Sequence, residues 1–382
     1  MKIIHFFARF PNKTQPYNQV LLERLTTFGM LCEVACLVKG KGKSSFKIYD
    51  FYHHKFKWLS YVSASIKHRK YFLAFKEESQ LNFLPSVKIF GRYAPLIKAN
   101  PDVVHVHHVQ ILNKKLIAFL KICDFKTLIS FRGSDILVRP FRNQEEKSFL
   151  EYALQNTNAA HAVSGNIQEA LESFGKPSEY IYTIYRTVEV KEANIPFQKN
   201  EDIDHVHITT IGRIHWTKGY VDAIKSLKVL KDNHLSFTYN ICGGYDTDIF
   251  DELKFWIRRL DLEKHVVFHG HLNNTQINEI LGKTDVYLQS SLTEGIPNTL
   301  LRVMYYQIPI VTTNAGGIPE VFQETNKRRM VEVGSWSEMG KELLTVLHRN
   351  LEFRESSQKV ESIDESIEIN NYREMYQKII EL

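Results

Sequence analysis

The stretch 290–304, SSLTEGIPNTLLRVM, sets one carboxylate, Glu294, just before a Gly295-Ile296-Pro297 turn and a helical pattern that starts near Asn298. A strand-like run ends at Gln289, so the order is strand, turn, helix. A helix start after a glycine turn offers unpaired backbone N–H groups and the positive end of the helix dipole, which suits a phosphate. Glu294 beside it could accept hydrogen bonds from ligand hydroxyls such as those of a sugar. The alternative is an N-capping loop with a solvent-facing glutamate.

Such a turn needs a sheet to hold it. Strand-like runs at 2–7, 31–38, 103–107, 127–131 and 159–163 alternate with helical periodicity, as at 18–28 and 112–122. This alternation predicts βαβ units and a parallel sheet. The polar, aperiodic stretch 189–204 contains Pro196 and marks a boundary. The pattern then restarts, with strands expected at 206–211, 236–242, 265–268, 286–289 and 310–313 and helices at 219–232 and 298–306. The expected fold class is α/β, two Rossmann-like doubly wound domains facing a cleft. Residues 1–190 form the first domain, 191–365 the second, and 366–382 a helix that returns to the first. Ligands of open α/β folds bind outside the carboxyl ends of the strands.

EGIPNTLLRVM at 294–304, followed by IPIVTTNAGGIPEVF at 308–322, resembles the donor-binding signature of family-four retaining glycosyltransferases of the GT-B fold. IGRIHWTKG at 211–219 is similar to that family's GR…KG segment, and DVVHVH at 102–107, FRGSD at 131–135 and AVS at 162–164 resemble its first-domain motifs. The resemblance spans nearly the whole chain apart from 39–84. It implies transfer of a sugar from a nucleotide-diphosphate sugar to a hydroxyl with retention, without a metal or any cofactor besides the donor substrate.

Residue by residue, the resemblance gives Arg213 and Lys218 the donor diphosphate and Glu294 the transferred sugar, and these three form the expected catalytic group. A leaving diphosphate gains charge as the glycosidic bond breaks, and fixed cations in a dry site stabilise that charge most in the transition state. Arginine adds a bidentate fork and lysine a point charge. Alone, either would be an ordinary solvated cation. The donor site would also include Gly212, Gly295 and the amides of Ile296, Asn298, Thr299 and Leu300; Pro297 has no N–H to offer. Gly243 and Gly244 would let backbone approach the nucleotide, or simply form a tight turn. His271 lies where the family reads the base, largely with backbone. On the acceptor side stand His107 and Arg132, each after a strand, and Asp135, which either orders its loop or caps a helix. The segment 14–17, TQPY, fits the family's first loop but lacks the glycines found in many members.

Two positions depart from the pattern. The family's second glutamate, which takes the ribose hydroxyls, falls at Arg302, eight residues after Glu294. Arginine has donors only and the opposite charge, so the ribose contact must differ. Arg132 stands where many members have a histidine near the sugar, and it cannot carry a proton. Arg302 keeps open a non-catalytic partner subunit of the same fold. A nucleotide-sugar epimerase needs carboxylates as acid and base, and Glu294 alone is well placed. Asp246-Thr247-Asp248 spells a metal-type motif but falls on an expected helix-entry loop, so no metal site is expected.

Composition adds the setting. No run of 18 apolar residues occurs, and the opening MKIIHFFARFP is interrupted by His5 and Arg9, which reads as a strand rather than a signal peptide. The expected compartment is the cytoplasm. Cys32, Cys36, Cys123 and Cys242 form no CxxC pair, which argues against a disulfide framework or a zinc site. Residues 38–76 carry ten Lys or Arg against Asp50 alone, so the rest of the chain is net acidic. The same segment holds ten aromatics, from Phe46 to Phe75. Either it meets the anionic inner face of a membrane, or its aromatics fill the first domain's core. No nucleic-acid module surrounds it. The expected acceptor is a glycan or lipid-linked intermediate of a bacterial surface polysaccharide.

Overall fold

The computed structural model describes residues 1–12, 16–51, 58–187, 205–245, 247–322, 330–348 and 365–382. The polar stretch 189–204 and Asp246 lie outside them. The chain divides into two compact units, one of residues 1–185 with 365–382, the other of residues 186–364.

The first unit is built on strands β1 (Lys2–Phe10), β2 (Leu31–Lys39), β3 (Ile48–Asp50), β4 (Val103–Val106), β5 (Thr127–Phe131), β6 (Ala159–Ala162) and β7 (Ile181–Thr183). They pair in the order β3-β2-β1-β4-β5-β6-β7, every pairing parallel. The direction of winding reverses between β1 and β4, which puts the loop opened by His107 at the point where such sheets bind ligands. Burial on both faces explains the near-continuous apolar runs: all of β4, β5 and β6 is buried. Helix starts follow capping chemistry. Asn113 accepts from the amides of Lys115 and Leu116, so the helix expected from 112 begins at Lys114.

On one face of this sheet Phe6, Phe75, Phe90 and Phe119 share a core. On the other face the helix Glu365–Glu381 lays Ile369, Tyr372, Tyr376 and Ile379 against Ile3, Phe7 and Leu22. That spacing of 3, 4 and 3 places them on one helical stripe. The helix at Glu365–Glu381 lies within one residue of the span expected at 366–382.

The second unit contains β8 (His205–Ile211), β9 (Ser236–Cys242), β10 (Val266–Gly270), β11 (Val286–Gln289), β12 (Ile310–Thr313) and β13 (Met330–Val331). Their order is β10-β9-β8-β11-β12-β13, again all parallel. Here the winding reverses between β8 and β11. Leu227, Tyr239, Leu253 and Leu288 are among its fully buried apolar residues. Among the described residues no helix is long and apolar enough to cross a membrane.

The segment 39–84 receives its structure from β3 and from helices α2 (Trp58–Lys67) and α3 (Arg69–Ser79), followed by α4 (Phe83–Tyr93); α1 is Pro16–Thr27. Phe51, Phe72 and Phe75 are buried, and Tyr49, Tyr61 and Tyr71 pack against the same core. The aromatics of this basic segment thus largely fill the interior, and Trp58 is the exposed one among those described.

Candidate functional site

In the second unit, the turns that follow β8 and β11 meet at the reversal point. The loop after β8 is closed by backbone. The Gly212 amide donates to the Cys242 carbonyl at 2.9 Å and the Ile214 amide to the Gly244 carbonyl at 2.8 Å. The buried Tyr220 hydroxyl donates to the Gly212 carbonyl at 2.8 Å. A Cβ on Gly243 would come within 1.9 Å of that same carbonyl oxygen, whereas one on Gly244 would meet nothing within 4 Å. Gly243 is therefore required for loop-to-loop approach, and Gly244 leaves open surface.

This loop presents two cations differently. Arg213 is exposed and makes no hydrogen bond or ion pair with any described residue. Lys218 is half-buried and its ammonium is bound to Oε1 of Glu294. Ser291 Oγ donates to the same carboxylate oxygen at 2.9 Å and Gln289 Nε2 at 3.4 Å. Glu294 is 12% exposed. The solvent-facing alternative for Glu294 therefore fails. Gln289 and Ser291 were not singled out from the sequence. Their signal was their place at and just after the end of β11, five and three residues before Glu294.

Backbone fixes the pair. Gly219 adopts φ +62°, where a Cβ would lie 1.8 Å from the Ser290 carbonyl oxygen. The Leu292 amide donates to the Thr217 carbonyl at 2.8 Å, and Ser290 Oγ donates to the Lys218 carbonyl at 3.1 Å. Gly316, at φ +54°, passes so close to Glu294 that a Cβ would sit 1.9 Å from its carbonyl oxygen. Both glycines occupy a region costly for other residues.

The helix Asn298–Tyr305 starts after Pro297 without a side-chain cap. The Leu300 amide bonds back to the Pro297 carbonyl at 3.1 Å, so it is not available to a ligand, contrary to expectation. Leu300 itself is wholly buried. Asn298 and Thr299, at the first two helical positions, have no carbonyl one turn earlier in the helix, and theirs are the amides this helix start can offer. Thr299 Oγ1 also accepts from the buried Tyr287 hydroxyl at 3.3 Å, which ties the helix start to β11. Gly295 is buried, Ile296 half-buried, and His271 exposed beyond β10.

Arg302 lies one turn further along. Its guanidinium donates to Oδ1 of Asn278 and, at 3.4 Å, to Oδ1 of Asn274. Its partners are carboxamides, not acids. Asp248, the described end of the metal-type motif, sits in the first turn of the helix Thr247–Arg259.

In the first unit, Arg132 follows β5. Its Nη1 donates to the Tyr17 hydroxyl at 3.0 Å and to Asn18 Oδ1 at 3.1 Å, both at the start of α1. The guanidinium also stands 5.1 Å from the Tyr17 ring centroid. Residues 14 and 15 of the TQPY segment lie outside the described residues. Asp135 is buried and accepts from the amides of Arg132 at 3.1 Å and Gly133 at 2.9 Å, so it orders the loop that carries Arg132.

His107 is 3% exposed, with both ring nitrogens engaged. Arginine can only donate, so Arg132 Nη2 at 2.8 Å leaves Nδ1 of His107 as acceptor. His107 then carries its proton on Nε2 and donates to His5 Nδ1 at 2.9 Å. His5 is left with a buried Nε2–H that has no partner among the described residues. A second chain runs from the Tyr376 hydroxyl to His105 Nδ1 at 2.7 Å, from His105 Nε2 to Ser130 Oγ at 2.6 Å, and on to His161 Nδ1 at 2.7 Å. Burial lowers the pKa of His5 to about 3 and holds His105 and His107 well below the usual histidine value; the Arg132 charge adds to the shift in the latter two. His5, His105 and His107 are the one group among the described residues spaced for a metal, with ligand atoms within 4.8 Å of one another. An ion there would face the Arg132 guanidinium and displace these hydrogen bonds, so the donor set fits a metal poorly. Of the three residues expected on the acceptor side, Arg132 is half-buried, and His107 and Asp135 are buried behind it.

Residues 191–362 match the family model described as Glycosyl transferases group 1. The chain is 30% identical over 229 residues to the amylovoran biosynthesis glycosyltransferase AmsK of Erwinia amylovora, an alignment that spans 58% of this chain and 54% of that protein. It is 24% identical over 354 residues to the putative colanic acid biosynthesis glycosyltransferase WcaL of Escherichia coli K12, covering 85% of each. Among solved structures, HepE of Anabaena in complex with UDP-glucose superimposes with a TM-score of 0.68 at 16% identity, over 100% of this chain and 98% of that one. At that identity the likeness establishes the fold, two parallel-sheet Rossmann-like domains of the GT-B type.

Proposed function

We propose that this protein is a glycosyltransferase that moves a sugar from a nucleotide-diphosphate sugar to an acceptor hydroxyl, with retention of configuration and without a metal. The observation that carries the reading is the Lys218–Glu294 pair, held by backbone at the reversal point of the second sheet beside the uncapped helix start at Asn298. A sugar diphosphate presents hydroxyls and an anion next to each other, and the pair presents an acceptor and a cation next to each other. Arg213, exposed and without an ion pair among the described residues, supplies the second cation.

The bond from the anomeric carbon to the diphosphate oxygen breaks, and its electrons pass to the leaving group. The acceptor oxygen bonds to that carbon on the same face, and its proton goes to a departing phosphate oxygen. Lys218, Arg213 and the amides of Asn298 and Thr299 stabilise the charge that builds there. Glu294 holds the sugar hydroxyls. Arg132 serves the acceptor side, steadied by Asn18, Tyr17 and His107.

Two bacterial relatives are named for biosynthesis, of amylovoran for AmsK and of colanic acid for WcaL. We accordingly assign the acceptor to a glycan or lipid-linked polysaccharide intermediate. A donor panel of uridine, guanosine, adenosine and thymidine diphosphate sugars tests the reading, with EDTA present and product followed by proton NMR. Release of one nucleoside diphosphate with the donor's anomeric configuration kept in the product supports it. Inversion, or strict dependence on Mg²⁺ or Mn²⁺, overturns the corresponding part.

A further inference from the structure

Helices α2, α3 and α4 pack against one another in the first unit. Their inner faces feed the core through Phe72, Phe75, Val87 and Phe90. Their outer faces leave large apolar side chains in water: Leu59 is 85% exposed, Ile66 71%, Leu84 60%, Phe83 56% and Leu73 50%. Leu59 and Ile66 are seven residues apart, two helical turns, and share a face of α2. The Phe83 ring meets Phe72 edge-on with centroids 5.8 Å apart, and Lys76 Nζ stands 6.0 Å from the Phe83 ring. These contacts join the start of α4 to the exposed side of α3. Exposed Lys67, Arg69, Lys70, Lys76 and Lys88 lie among the apolar groups, and Glu77 and Glu78 are the only acids between residues 58 and 93.

Single exposed apolar residues are ordinary, but a group of them interleaved with charges predominantly of one sign marks an interaction surface. We propose that this face docks on an anionic lipid bilayer. Its chemistry is complementary to that surface in both respects. Apolar tips such as Leu59, Ile66 and Leu84 can enter the headgroup boundary, while lysine stems lie along it and place their ammonium groups on lipid phosphates. Each cation near such a surface is worth about fivefold in partitioning. The proposal goes beyond sugar transfer and stands without it, because docking is measured with neither donor nor acceptor present.

Co-sedimentation of the full chain with phosphatidylcholine vesicles, with and without phosphatidylglycerol, decides. Binding is expected only with phosphatidylglycerol and is expected to weaken at high salt. Changing Lys67, Arg69, Lys70 and Lys76 together to Gln should weaken it on the order of 10²-fold. Changing Leu59, Ile66 and Leu84 together to Ser should weaken it about tenfold or more. Both variants should keep the wild-type far-UV circular dichroism, since the altered side chains are exposed. Equal recovery with neutral and anionic vesicles, or unchanged binding in both variants, overturns the proposal. So does an apolar variant that converts a dimer to a monomer in light scattering while vesicle binding is unaltered, which would make the face a contact between copies of this chain.

Discussion

Lys218 and Glu294 form an ion pair although 76 residues separate them, and each is fixed by a glycine in the left-handed region, Gly219 beside the lysine and Gly316 against the glutamate. The pair does not depend on long flexible side chains finding each other in water. The Thr217 carbonyl and the Ser290 hydroxyl stitch one turn to the other, so the two charges arrive together. An acceptor and a cation held at the end of adjacent strands are what a sugar phosphate requires of a protein.

Glu294→Ala separates the two roles of the pair. Sugar-nucleotide turnover should fall about 10²-fold or more, as for loss of one preorganised polar group. If Glu294 binds the sugar hydroxyls, as proposed, affinity for the free nucleoside diphosphate should change by no more than about threefold. Titration calorimetry with the nucleotide and the nucleotide sugar in parallel measures both. Equal weakening of the two ligands would place Glu294 on the nucleotide instead.

Arg302 should shape donor choice. Its bonds to Asn278 and Asn274 hold a donor-only group where a carboxylate is expected to take ribose hydroxyls. Arg302→Glu should change which donor is preferred in the panel, with some binding retained. If the wild type binds no donor and Arg302→Glu gains affinity for common uridine and guanosine sugars, the chain is a partner subunit rather than the transferase itself.

The returning helix should report on the first unit's stability. Tyr376 is buried and bonded to His105. Tyr376→Phe keeps the ring and leaves a buried histidine nitrogen unpaired, a cost of about 1–3 kcal/mol. Urea denaturation followed by circular dichroism measures it. An unchanged midpoint would mean that the bond is replaced at no cost, and that the helix is held by Ile369, Tyr372 and Ile379 alone.

The histidines set a pH dependence with a definite sign. In the unfolded chain they take up protons below about pH 6.5. Folded His5 resists protonation down to about 3, and His105 and His107 also resist well below the usual value. The unfolded state therefore binds more protons as pH falls, and stability is full above pH ~6.5 and lost below it. The slope is about 1.4 kcal/mol per pH unit for each such histidine. His5→Asn should flatten the slope between pH 6.5 and 5 by about one proton's share. An identical slope in the variant, or stability that rises on acidification, would contradict the buried neutral assignment.

Much of this was legible in the sequence for identifiable reasons. Buried parallel strands such as Val286–Gln289 are apolar throughout and bounded by turns, so they stand out. The edge strands β3, β7 and β13, of three, three and two residues, are too short to show a period. Arg213, Lys218 and Glu294 follow strand ends, which sequence spacing can place. Long-range neighbours could not be placed, because Gly316 reaches Glu294 and Tyr376 reaches His105 only through the fold. His107 illustrates the limit: its position after a strand suggested contact with a ligand, whereas the ring lies inside and supports Arg132. The aromatics of the basic segment show the same thing, since one spacing serves both a core and a surface. The backbone role of Leu300 was misread because the first turn of its helix tightens onto Pro297.

The most direct test is turnover at saturating donor in Arg213→Ala and Lys218→Ala, read as released nucleoside diphosphate. If these cations act on the leaving group, each substitution removes an interaction that strengthens as charge develops. The rate should then fall by ~10²-fold or more, with a much smaller change in donor affinity. Turnover near the wild-type value in both variants would contradict the account.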